Sequence, residues 1–239
     1  ERPVACDEKP GKISDMFKAL FKNDQAMTVV VSIILVYTSL NICGNLVLYF
    51  FRFDVGNEGA YSIFAAVAFA AQVLVMMVIP LLRKRFSKSQ LFISGFIIQI
   101  AGFAVILIMA FAKLYTPQSW YILCLPGILI YLGYGMLNVI MTIFLSDSVD
   151  YGEVMNGTRE ESVIFSMQTF TVKLASGVAV FLAGLVVDWI HLDTAAAVQT
   201  QDTLDALRMW MTIPSVILLI VGIFVFKRFY KLDDTRMEE

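Results

Sequence analysis

The chain has 239 residues, of which 59% are hydrophobic and only 16% charged, with a formal net charge of −2. A soluble globular domain carries about 25% charged residues, so this composition excludes one, and the small net charge offers no basic surface for a nucleic-acid partner. The three cysteines and the lone His191 are too scattered for a disulfide framework or a zinc site, so no metal centre or cofactor is expected.

Residues Glu1 to Asn23 are polar and are broken early by Pro3, Pro10 and Gly11. Nothing in them reads as a secretory signal. Ile13, Met16, Phe17, Leu20 and Phe21 then recur at helical spacing among Lys12, Lys18 and Lys22, which predicts a short amphipathic helix in a linker or on a membrane surface. Six apolar segments follow, at Met27–Phe51, Ala60–Leu82, Leu91–Ala112, Ser119–Leu145, Ser162–Val187 and Met209–Phe226. Each is about as long as a bilayer crossing requires, and backbone polar groups in hydrocarbon must be satisfied within the segment, so each predicts a helix. The expected fold is all-α, a polytopic membrane protein with a six-helix bundle over 27–227, a leading segment 1–26 and a tail 228–239.

Fourteen of the 18 Lys and Arg fall in the leading segment, the loop near Arg83–Lys88, the loop at Arg159 and the tail, against Arg52, Lys113 and Arg208 in the alternate loops. By the positive-inside bias both termini are expected in the cytoplasm, with the protein in the cell (inner or plasma) membrane. Six crossings also admit two sets of three related by inverted topology. In the fourth segment Pro126, Gly127, Gly133 and Gly135 permit bends or close helix contacts.

Polar residues recur on single helical faces inside three segments. These are Tyr37, Asn41, Asn45 and Tyr49 in the first, Tyr131, Tyr134, Asn138 and Thr142 in the fourth, and Ser162, Ser166, Thr169, Lys173 and Gly177 in the fifth, with Gln168 adjoining. Interhelical hydrogen bonds, worth about 0.6 kcal/mol each, account for single cases. Three stripes together predict a shared polar cavity whose hydroxyl, amide and aromatic groups suit a polyhydroxylated ligand. Lys173 lies at least about eleven residues, or roughly 16 Å, from either end of its segment, farther than a lysine stem reaches. A central lysine costs about 2.5–3.5 kcal/mol on insertion scales and usually lines a pathway or meets a counter-charge. None of the six segments contains Asp or Glu, so that charge is expected from a ligand, another chain or another part of the protein. The stretch Asp147–Glu161 holds five carboxylates against Arg159. It reads as a loop, either solvated or closing a gate by pairing with Arg159 or the basic Arg83–Arg85 run. It has no nucleophile or metal ligand that would make it catalytic, and the chain is not expected to be an enzyme.

Asp147-Ser-Val-Asp150-Tyr151-Gly152-Glu153, followed by Gly157-Thr158-Arg159 and by Gln168-Thr169-Phe170 with Lys173, resembles the glycoside–pentoside–hexuronide:cation symporters. These are the melibiose-permease-like branch of the major facilitator superfamily. Pro80 with the basic run Arg83 to Lys88, Leu207-Arg208 with Ile213-Pro214, and Ala19 to Asp24 are similar to further family stretches, although Ser87 stands where a glycine is common. The resemblance implies the C-terminal six helices of a twelve-helix carrier that symports a sugar or glycoside with Na⁺ or H⁺. An N-terminal six-helix half would then be a partner, alongside the lipid bilayer, and would hold the main cation ligands and the counter-charge for Lys173. Together with the polar stripes and the acidic stretch, substrate contacts are expected at Lys173, Thr169, Gln168, Asn41, Asn45, Tyr134 and Asn138, and a cytoplasmic gate at Asp147, Asp150, Tyr151, Glu153 and Arg159. Asn138 stands where melibiose-type members often carry an aromatic, so the sugar is expected to differ. The alternative is a stand-alone six-helix scaffold or assembly partner without transport activity.

Overall fold

The computed structural model describes residues 23–156 and 161–230, so the amphipathic stretch before Asn23, the tail beyond Tyr230 and Arg159 lie outside the described residues. Six long helices are present: α1 (Asp24–Tyr49), α2 (Ala60–Leu82), α3 (Lys88–Phe111), α4 (Cys124–Asn156), α5 (Glu161–Trp189) and α6 (Gln201–Phe229). All six are long and apolar enough to cross a membrane, which makes this a multi-pass membrane protein. A π-helical stretch, Phe50–Val55, continues α1 and ends at Gly56 with φ 75°, a backbone state that glycine adopts without strain. A short 3₁₀ turn, Trp120–Leu123, leads into α4.

The helices start and stop where local chemistry satisfies their free backbone groups. Asn23 caps α1, its Oδ1 accepting from the Ala26 N–H at 2.9 Å. Ser87 and Gln90 close a capping box on α3, and Thr200 accepts from the Thr203 N–H at 3.2 Å to open α6. Capped turns extend the helices past the apolar windows. α6 therefore begins at Gln201, eight residues ahead of its apolar segment, and already buries Thr203, Leu207 and Arg208.

The largest departure from the sequence reading concerns the acidic stretch. Asp147, Asp150, Tyr151 and Glu153 lie on the last turns of α4 and not in a loop. Leu145, Ser148, Val149 and Gly152 are buried there at helical spacing, so one face of this polar segment packs inward while the carboxylates occupy the others. Asn23 completes the contact, donating from Nδ2 to the Ser148 carbonyl at 2.8 Å.

α1 and α4 lie side by side, with α3 behind α4, α6 behind α1, and α3 touching α6. α2 packs along the flank of α4 and α5 along the flank of α1. Exchanging α1 with α4, α2 with α5 and α3 with α6 maps each extensive packing pair onto another, as an inverted repeat requires. Glycines set the α3–α4 spacing: a Cβ on Gly133 would lie 2.5 Å from the Gly95 carbonyl oxygen and 2.6 Å from the Gln99 nitrogen. Aromatic clusters close both ends. Phe92, Phe144, Phe226 and Tyr230 pack at centroid distances of 4.4–5.2 Å beside the loop carrying Arg83–Lys88, here termed the basic end. Phe50, Phe51, Phe64 and Tyr115 pack at the opposite end.

Candidate functional site

Two of the three polar stripes meet between α1 and α4. The Asn138 amide donates to the Tyr37 hydroxyl at 2.6 Å, and the Tyr37 and Tyr134 rings meet edge-on at 5.5 Å. Above them Asn41 donates to the Tyr37 carbonyl and Asn45 to the Asn41 carbonyl, both at 2.7 Å. Each of these two amides thus uses one donor on its own helix and keeps its carbonyl oxygen as an acceptor. Asn41, Asn45 and Asn138 are all half-buried, and Thr142 is exposed one turn beyond Asn138. Aromatic rings beside amide acceptors and donors can hold a polyhydroxylated molecule by stacking on its C–H face and bonding its hydroxyls.

Among the described residues the third stripe makes no side-chain hydrogen bond to the other two. α5 packs on α1 through Ile164, Met167, Thr171, Ala175 and Ala179, which leaves Ser162, Ser166, Thr169, Lys173 and Gly177 exposed on another face, with Gln168 half-buried. Thr169 donates to the Phe165 carbonyl of its own helix at 3.1 Å. Among the described residues no hydrogen bond or ion pair reaches the Lys173 ammonium. The α1 and α4 stripes thus share one site, and the Lys173 stripe lies on the open face alongside, because α5 packs on α1 and has only slight contact with α4.

At the basic end Lys88 and Asp147 form an ion pair at 2.7 Å with side chains 12% and 13% exposed. Lys88 is thus the partner of Asp147 among the described residues. Asp150 and Glu153 are exposed on neighbouring turns, and Tyr151 is half-buried. Gly152 admits Asn23, because a Cβ there would lie 2.8 Å from the Asn23 Nδ2.

A charged cluster that the sequence reading missed ties the opposite end. Arg208 donates from Nε to the Asp54 Oδ2 at 2.8 Å, from Nη2 to the Asp54 Oδ1 at 2.5 Å and from Nη1 to Asp205 at 2.7 Å. The Tyr115 hydroxyl donates to Asp54 at 2.6 Å. Burial, then the bond to Asp54 and its negative charge, push the Tyr115 phenol well above its ordinary range, so it stays a donor. Arg208 and Asp54 are only 3% and 4% exposed, so the cluster locks α1 to α6 and to the α3–α4 connection. Asp54 lies just past the first apolar segment, and Arg208 just ahead of the sixth. The available signal was helical spacing, which places Arg208 one turn from both Leu204 and Met211. Among the described residues no three His, Cys, Asp or Glu side chains gather as a metal site.

Comparison with known proteins assigns this architecture. A model of the MFS/sugar transport protein family matches residues 3–234. An uncharacterized symporter of Bacillus subtilis is 26% identical over 93% of this chain and 47% of its own length. The raffinose carrier protein of Pediococcus pentosaceus is 24% identical, over 89% of this chain and 33% of its own. The isoprimeverose transporter of Lactiplantibacillus pentosus is 25% identical, over 92% and 44%. This chain therefore spans less than half the length of each of these relatives. A match over nearly the whole chain, on six membrane-crossing helices with a polar α1–α4 seam, shows that the chain belongs to the MFS/sugar transport protein family, among the glycoside–pentoside–hexuronide symporters of the major facilitator superfamily.

Proposed function

We propose that this chain is the C-terminal half of a secondary active transporter that symports a sugar or glycoside with Na⁺ or H⁺ by alternating access. The observation that carries the reading is Lys173. It lies on an exposed face of α5, in the interior of a membrane-crossing helix, with no counter-charge among the described residues. An intramembrane ammonium is costly unless it meets charge or water. A second six-helix half, carrying carboxylates for the cation, would cover that face and supply the charge. The relatives, at more than twice this chain's span, are long enough to contain such a half.

In this reading Tyr37, Tyr134, Asn138, Asn41 and Asn45 bind sugar rings and hydroxyls, while Gln168, Thr169 and Lys173 close the site from α5. The ammonium offsets the carboxylates when the cation is absent and adjusts as the cation arrives, which links the two cargoes. The basic end faces the cytoplasm of the cell membrane. There Asp150, Tyr151, Glu153 and Arg159 make contacts in one state of the rocking bundle and break them in the other. No covalent chemistry is involved.

The test is reconstitution of the full-length protein in liposomes with raffinose, isoprimeverose or lactose outside and an imposed Na⁺ or proton gradient. Gradient-driven accumulation of one of them is expected. Absence of both accumulation and exchange for every sugar would favour the scaffold alternative.

A further inference from the structure

A recess of about 540 Å³ lies between α1 and α5 toward the end opposite the basic loops, lined by Asn45 and Tyr49 from α1 and by Phe181, Gly184 and Asp188 among others from α5. Its volume falls inside the range of ~300–1,000 Å³ usual for small-molecule sites. Three features suit it to one chemistry. The Asp188 carboxylate is exposed and, among the described residues, has no side-chain or cationic partner. Asn45 has committed one of its two amide N–H groups to the Asn41 carbonyl, which leaves its Oδ1 as an acceptor and one N–H as a donor for a ligand. Tyr49 is stacked parallel to Phe53 at 6.5 Å, which fixes its ring as a flat apolar wall.

Carboxylate and amide oxygens accept hydrogen bonds, and aromatic walls cover C–H surface. A molecule rich in hydroxyl donors with one apolar face, a saccharide, satisfies both. A bare metal cation requires several oxygen ligands at short range, whereas this recess is walled largely by Phe181, Val180 and Leu185. The floor is open too, since a Cβ added at Gly184 would meet nothing within 4 Å, and the same holds at Gly177. Lys173, Gly177, Gly184 and Asp188 are spaced by four, seven and four residues and share one face of α5. The recess is therefore the far end of the same helix face that carries Lys173, roughly 22 Å away at 1.5 Å per residue.

We propose that this recess is a second saccharide site, an encounter station occupied before the ligand reaches Lys173. The proposal rests on the transport reading for its direction, but the site has its own test. In the full-length protein, Gly184→Cys places a thiol on the recess floor without a clash. Its labelling by a membrane-impermeant thiol reagent is followed by peptide mass spectrometry, with external raffinose or lactose as probe. The expected result is labelling that the sugar slows, with that protection lost in Gly184→Cys/Asp188→Asn. Asp188→Asn alone should raise the KM for uptake roughly tenfold, the effect of one lost charge-assisted hydrogen bond, with kcat little changed.

Protection without any uptake would keep the site and overturn the transport reading. Uptake without protection would overturn the site alone, and absence of both would overturn the two together. Failure of the thiol to label at all would show that the rest of the protein covers the recess. Protection that survives Asp188→Asn would be indirect, and protection by Na⁺ or choline without sugar would make this a cation site. Each of these three outcomes overturns the proposal.

Discussion

Arg208 and Asp54 hold their charges at 3% and 4% exposure, so losing one partner leaves the other buried and unpaired. Arg208→Leu or Asp54→Leu alone should cost about 3–5 kcal/mol, and the double replacement distinctly less than the sum. Thermal unfolding of the purified protein in detergent checks this, and additive losses would contradict the coupling. Gln99 presents the converse case. It is fully buried and, among the described residues, neither of its amide atoms has a hydrogen-bond partner. Gln99→Leu removes that unmet polarity at similar volume and should raise stability by about 1–3 kcal/mol; a loss would show that the amide is satisfied in the native protein. At this scale the sequence was informative for Lys173, because its distance from both ends of an apolar run is a matter of counting. For Arg208 it offered only the helical spacing from Leu204 and Met211, and for Asp54 nothing. Each lies beside an apolar segment, where exposed charges also collect, and only tertiary packing distinguishes the two situations.

Helix spacing is set by glycines of two kinds. Gly133 lies against the α3 backbone, so the Cβ of Gly133→Ala must push α3 and α4 apart, at a cost of about 1–3 kcal/mol. Gly177 faces open space, and Gly177→Ala should be neutral or gain up to ~1 kcal/mol from helix propensity. Equal losses at both, in the same unfolding assay, would contradict this packing. The end of α4 divides its carboxylates in a similar way. Asp147 is paired with Lys88 inside this bundle, so it positions the helix end. Asp150 lies on the exposed face of α4, where, in the proposed transport cycle, a carboxylate can exchange partners between states. Asp150→Asn in the full-length protein should shift the inward/outward ratio several-fold, about 1 kcal/mol, with little change in sugar affinity for a fixed state. Unchanged thiol accessibility of the basic end would return this segment to a purely structural role. The number and order of helices were legible because spans of this length have no other way to satisfy their backbone in hydrocarbon. Their ends were not. The final turns of α4 and the first turns of α6 are polar on most faces, and a buried stripe as thin as Ser148, Val149 and Gly152 is masked by the charges around it.

The described helices form a pseudo-symmetric bundle, with α1 and α4 central, α2 and α5 on the flanks, and α3 and α6 behind. That arrangement was not legible in the sequence, since stripes on three helices do not reveal which helices touch. The α1–α4 stripes do meet, at Tyr37 and Asn138, while the α5 stripe faces outward. The central claim is that this outward face, with Lys173 at its middle, completes a cation-coupled sugar site with a second half. The most direct measurement compares wild-type and Lys173→Val full-length protein in membranes of matched expression, recording gradient-driven sugar uptake beside cation-independent sugar exchange. Loss of the gradient-driven component, with Lys173→Arg restoring it only in part because the guanidinium keeps the charge but not the shape, is the predicted result. Wild-type values for both components in Lys173→Val would contradict the account.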